Sequence, residues 1–193
     1  MKKRTRKNKK APSLILQGTA YHEAGHHVMK WHFGLSLGLV TIKPDHKNNT
    51  LGTSAYHHAP LKNETIKKLW EYESPSPGQV RRIENEVMVC LAGREAERIF
   101  RPKKRGLCGA WTDNEQAQDF LHILVDEISP QFPVYWKLLL LRTKDILSTT
   151  MVWTAVEGLA TALLERETLN GREARKVIVD AIQNRVRVRR TKK

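Results

Sequence analysis

The sequence predicts an α+β, mostly helical domain. A helix carrying an HExxH motif is followed by a small β-sheet or hairpin and then by a C-terminal helical bundle. Two observations predict it. Most of residues 80–184 reads as helix, in segments separated by proline and glycine. Alternating, β-branched sequence is confined to two short runs, residues 39–43 and 51–56, on either side of a polar turn. No internal repeat points to a solenoid or an array.

Taken in order, residues 1–10 hold seven Lys or Arg and no acid, and residues 1–12 read as a basic disordered tail. Gly18-Thr19 opens the motif helix with Thr19 as N-cap, and Gly34 ends it after Trp31 or His32. The run Leu39-Val40-Thr41-Ile42-Lys43 reads as a strand stopped by Pro44, and residues 51–56 as its hairpin partner. Residues 57–78 hold a short helical stretch and then the loop Ser74-Pro75-Ser76-Pro77-Gly78. A helix is expected over 80–100, a basic loop over 101–109, and a further helix from Asp113 to about 128. Pro130 and Pro133 punctuate the chain before two helices spanning 134–167, broken near Ser148. Asn170-Gly171 makes a turn into a last helix over 172–184, and residues 185–193 form a second basic tail with six Lys or Arg. The folded domain is thus expected over 13–184.

Apolar content of 40% and charged content of 28% over 193 residues suit one globular domain with a core. The net charge of +14 is concentrated in the tails: without their 13 basic residues, 21 Lys and Arg face 20 Asp and Glu. A nearly neutral body argues against a nucleic-acid-binding domain, while the tails suit nucleic acid or an anionic surface as a partner. The apolar run at 138–141 is far short of a membrane span, and Leu14-Ile15-Leu16 is too short for a signal-peptide core. Two cysteines make no disulfide framework, so a reducing compartment, the cytoplasm, is expected.

The chemistry lies in His22-Glu23-Ala24-Gly25-His26. On a helix, residues four apart share a face, so two imidazoles can hold one metal ion. Glu23 is rotated off that pair and can serve a metal-bound water as general base. With 8 His and 14 Glu, chance alone gives HExxH in roughly 2 of 100 such chains, so a third ligand is needed as support. Three candidates are open. His32 has the HExxHxxGxxH spacing, but Met29 stands where that pattern turns at glycine. Glu95 or Glu97 could act from a downstream helix. Asp113 follows a glycine-containing loop.

In this order the chain resembles the peptidase domain of FtsH-type ATP-dependent zinc proteases. His22–His26 is similar to the family's HEAGH. Val40-Thr41-Ile42-Lys43-Pro44 with Leu51-Gly52 is similar to its strand and glycine pair. Leu91-Ala92-Gly93-Arg94 with Ala96-Glu97 is similar to its LAGRxAE, and Gly109-Ala110 with Asp113 to its GAxxD. The segment Leu163-Leu164-Glu165-Arg166-Glu167-Thr168-Leu169-Asn170-Gly171 is similar to its ending, and the resemblance covers about residues 19–182.

The resemblance implies one zinc ion per chain held by His22, His26 and Asp113, with Glu23 as general base. It demotes His32, Glu95 and Glu97. It implies a metalloendopeptidase acting on unfolded or flexible polypeptides, bound by edge pairing to part of 39–56. It also implies assembly into hexameric rings. The chain carries no GxxxxGK[ST] phosphate loop and no membrane anchor, so the expected partner is a separate ATPase that unfolds substrate. Cys108 stands where the family often has a small hydroxyl residue. His27 reads as a packing or supporting residue, His57-His58 as a loop pair, and Cys90 as a buried helix residue. The competing class is a catalytically inactive zinc-binding protein, or one that binds nucleic acid or a partner through its tails.

Overall fold

The computed structural model describes residues 12–45, 47, 50–58, 69, 74–102 and 110–190. Residues 1–11, 46, 48–49, most of 59–73, 103–109 with Cys108, and 191–193 lie outside the described residues, and with them most of the expected basic segments at 1–12 and 101–109. The elements are α1 (Leu14–His32), β1 (Val40–Thr41), β2 (Thr53–Ser54), α2 (Pro77–Phe100), α3 (Ala110–His122), α4 (Gln131–Ser148), α5 (Thr150–Arg166), β3 (Thr168–Leu169) and α6 (Gly171–Arg190). The molecule is mostly helical, with one three-stranded antiparallel sheet.

α1 starts earlier than Thr19. Ser13 is its N-cap, accepting from the Leu16 amide at 3.2 Å, while the Thr19 hydroxyl donates back to the Ile15 carbonyl at 3.2 Å as an ordinary mid-helix threonine does. The helix ends at His32, where Gly34 takes φ +70° and the Gly34 and Leu35 amides return to the carbonyls of Trp31 and Lys30. α2 also starts early. Ser76 and Gln79 form a reciprocal capping box, and Pro77 occupies the first turn, where its missing N–H costs nothing. α3 is shorter than expected, ending at His122, and the helix after Pro130 includes Pro133 in its first turn. The break before α5 falls at Thr149, as the sequence suggests. α6 continues to Arg190 instead of stopping at 184. RVRVRR contains no glycine or proline to end it, so residue 185 is not a structural boundary.

The sheet order is β2-β1-β3, with Val40 opposite Ser54 and Leu169, and Thr41 opposite Thr53 and Thr168. The hairpin of β1 with β2 agrees with the sequence, but β3 is an addition. Glu167 adopts φ +62° after α5 and turns the chain back, and its carbonyl accepts from the Ile42 amide at 2.9 Å. β1 is therefore paired on both sides, and among the described residues the outer edge on the hairpin side belongs to β2.

α1 packs against α2 and α5, α3 and α4 pack on α2, and α6 packs on α5. Ala20, Ala24, Val28 and Met29 of α1 are fully buried against Ala92 and Ala96 of α2 and Leu159 and Leu163 of α5. A second core joins Val87 and Leu91 of α2 to Ala117 and Leu121 of α3 and Leu139 of α4. The two central helices approach closely because small residues face each other. A Cβ on Gly25 would lie 2.6 Å from Ala96 Cβ and 2.7 Å from the Ala92 carbonyl oxygen. Among the described residues, no single helix is long and apolar enough to cross a membrane.

Candidate metal centre

α1 presents His22 and His26 on one face, one turn apart, both buried. Asp113, in the first turn of α3, reaches the same point. Its Oδ2 lies 2.8 Å from His22 Nε2 and 3.2 Å from His26 Nε2, and the two Nε2 atoms are 3.0 Å apart. Tetrahedral ligands at zinc distances of 2.0–2.2 Å stand about 3.4 Å apart, so this triangle needs to open by only a few tenths of an ångström to accept an ion.

The ring protons are assigned by the opposite ends of the rings. His26 Nδ1 lies 2.7 Å from the Val89 carbonyl oxygen, which can only accept, so Nδ1 carries the proton and Nε2 holds a lone pair. His22 Nδ1 faces Glu97 Oε2 at 3.6 Å and has no closer partner. Glu97 is fully buried, and its other oxygen accepts from Arg101. A carboxylate behind one histidine and a backbone carbonyl behind the other are the usual supports that aim imidazoles at a metal. Two nitrogen lone pairs and a carboxylate oxygen then converge within 3.2 Å, an arrangement that repels itself unless a cation or shared protons sit among them. These residues fit a zinc ion: two imidazoles and one carboxylate leave a fourth position open.

Electrostatics agree with that shape. Burial opposes ionisation of Asp113, yet the adjacent imidazoles, His26 foremost, hold its carboxyl well below the usual carboxylate range. Burial pushes the Glu23 carboxyl up, against the opposing pull of His26 and His22. Glu23 faces the β2 hairpin: a Cβ on Gly52 would lie 2.7 Å from Glu23 Oε1, so only glycine lets the chain pass so close to that carboxylate.

Of the other candidates, His32 is exposed at the end of α1, its ring against Phe33, because Met29 is buried in unbroken helix and the chain does not turn there. Glu95 pairs with Arg98 at 2.9 Å and Lys144 at 3.8 Å, away from the metal centre. His57 and His58 lie in an exposed bend with their rings tilted at 43° to each other. Cys90 is buried, its thiol pushed up by that burial and directed at Gln116 Oε1, 3.7 Å away. His27 is fully buried, held neutral with its pKa brought down to about 3 by burial and by Lys30.

Three contributors go unread in the sequence. The Val89 carbonyl leaves no side-chain signal. Glu97 stands out as a carboxylate but acts at second hand. Gly93 is required by space, since a Cβ there would overlap the His26 ring. The spacing of Val89, Gly93 and Glu97, four residues apart on α2, is the one cue that all three share the face turned to α1. No family model matches the chain, and no curated protein matches it.

Proposed function

We propose that this chain is a zinc-dependent metalloendopeptidase that hydrolyses peptide bonds of unfolded or flexible polypeptides. The observation that carries this reading is the convergence of His22, His26 and Asp113 on one point, next to the buried carboxylate of Glu23 and the β2 edge. When bound, zinc supplies a Lewis acid that acidifies water and polarises a peptide carbonyl. With zinc and water bound, Glu23 would take a proton from the water on a carboxylate oxygen and pass it to the departing amine nitrogen. A carboxyl raised by burial suits this task, because it holds the proton until the amine needs it.

β2 offers backbone groups to an extended chain, and pairing through backbone reads side chains poorly, which suits broad specificity. The same features support a peptidase of the FtsH type. The proposal therefore includes a separate ATPase that feeds unfolded substrate, and assembly of copies into a ring.

The test is casein degradation by the purified protein with and without chelator, alongside Glu23→Gln. The wild type should lose activity to chelator and regain it with zinc. Glu23→Gln should keep one zinc per chain and lose at least about 100-fold in rate. Full activity in that variant would remove the base assignment, and cleavage indifferent to chelator would remove the metal.

A further inference from the structure

Four residues C-terminal to His26, α1 buries a lysine. Lys30 is only 3% exposed, yet among the described residues no carboxylate lies within ion-pair distance of its ammonium. Its contacts are all with the β2 hairpin. Nζ donates to the Ser54 carbonyl oxygen at 2.5 Å and to the Ser54 hydroxyl at 3.1 Å, and stands 4.0 Å from the centre of the Tyr56 ring. Ser54 Oγ also lies 3.0 Å from His27 Nδ1, and Tyr56 donates to Glu86 Oε2 at 2.6 Å. The lysine is thus fixed by groups from α1, β2 and α2. The Glu86 carboxylate, held by Tyr56, attracts the ammonium without pairing with it, so the cost of burying the charge is only partly offset, and a methionine of similar volume would avoid that cost.

The register of the hairpin gives a reason. The Ala55 amide donates to the Leu39 carbonyl at 2.8 Å, and the Ala55 carbonyl accepts from the Gly38 amide at 3.2 Å. Both polar groups of Ala55 therefore point to β1. Alternation along a strand turns those of Ser54 and Gly52 the other way, toward the outer edge. The Ser54 carbonyl is one of the acceptors an incoming strand would use, and Lys30 already occupies it. A charged group set against a sheet edge opposes further pairing there, and Lys30 brings one to Ser54 from α1.

We propose that Lys30 is a positioning residue that closes the outer edge of β2 at Ser54, so that a bound polypeptide pairs with β2 through Gly52 and not beyond. This rests on the peptidase reading above. Ending the ladder beside Gly52 keeps the paired stretch next to Glu23 and stops the chain from sliding to a register in which the reactive peptide bond has left the metal centre.

The experiment is an N-methyl scan of a cleavable peptide, methylating each backbone amide in turn except the scissile one. Methylation removes one donor at a time. The wild type should be sensitive at one amide, the one opposite Gly52. Lys30→Met should be sensitive at that amide and at a second one two residues away, with KM rising about 3–10-fold there and kcat unchanged. Lys30→Arg should restore the wild-type pattern. Two sensitive amides two residues apart in the wild type overturn the proposal without any variant, and so do identical scans of wild type and a folded, zinc-loaded Lys30→Met. Failure of the wild type to cleave any peptide sinks the peptidase reading itself, and this proposal with it.

Discussion

Replacing Gly93 with alanine tests the metal centre without touching a ligand. A Cβ at this position would lie 2.7 Å from both Cδ2 and Cε1 of His26, and closer still to Nε2 between them. Ordinary contact begins at 3.4 Å, so the ring must retreat by at least about 0.7 Å, and by more at Nε2. Metal–ligand distances tolerate only about 0.2 Å, so the retreat takes His26 out of coordination range. The ring has little other freedom, because its Nδ1 is tied to the Val89 carbonyl at 2.7 Å. With one of three protein ligands lost, zinc affinity should fall at least about 100-fold, or about 3 kcal/mol. The fold should suffer less. Alanine favours the helix by about 1 kcal/mol over glycine, and overpacking costs about 1–3 kcal/mol, so the metal-free variant should lie within about 2 kcal/mol of wild type. The assay is competition for zinc against a chromophoric chelator, paired with urea unfolding of the metal-free proteins. Gly78→Ala is the control, since nothing lies within 4 Å of its added Cβ. Zinc affinity in Gly93→Ala within about three-fold of wild type would refute the close approach of α2 to the His26 ring.

Glu97→Gln keeps the shape behind His22 but removes the charge that faces its Nδ1, and should weaken zinc about 10–100-fold in the same competition; unchanged affinity would mean that Glu97 does not act through His22. Leu159→Ala deletes a fully buried side chain at the junction of α5 with α1 and should cost about 2–5 kcal/mol by urea unfolding, whereas less than about 1 kcal/mol would place the core elsewhere. Burial takes the Lys30 ammonium from its ordinary 10.5 down to about 8. From pH 8 to 10.5 the unfolded chain still holds that proton and the folded chain has released it, so stability rises with pH across this window. Relative to Lys30→Met, wild type should gain about 3 kcal/mol between those limits, and a difference that stays flat with pH would refute the depressed value.

The parts of this site that the sequence reveals are those in which side-chain identity and helical spacing do the positioning. His22 and His26 are four apart on a helix whose end is marked by Gly34, so their common face follows from the period. Asp113 is different: spacing alone leaves it level with His32, Glu95 and Glu97, and it is singled out only through the family resemblance. What separates the four is tertiary geometry. His32 stays on a helix that does not turn, Glu95 faces Lys144, and Glu97 stops at 3.6 Å behind a ligand. β3 left no legible pattern because two residues are too few for alternation, and its turn uses Glu167 at positive φ in place of the expected glycine. Without β3 the edge strand among the described residues could not be assigned, and so neither could the role proposed for Lys30, which in sequence is one more polar residue near the end of a helix.

α2 is the element on which the two halves of the candidate metal centre are aligned. The face with Val89, Gly93 and Glu97 is turned to α1, where it supports His26 and His22 and leaves room for the His26 ring. Val87 and Leu91 are turned to α3, where they bury Ala117 and Leu121 one and two turns after Asp113. The histidines are embedded in the main core, interleaved in the sequence with Ala20, Ala24 and Val28. Asp113 is held by a smaller cluster and remains about a quarter exposed, at 23%. An ion joining the three would therefore close a circuit from α1 through α2 to α3, and most of the order it adds would fall on the first turn of α3. The stabilisation grows with free metal as about 2.7 kcal/mol at one hundred times the dissociation constant. If the three residues hold an ion, its binding and the placement of α3 would for this reason be one equilibrium, in which α1 and α2 provide a preformed half-site and Asp113 completes it.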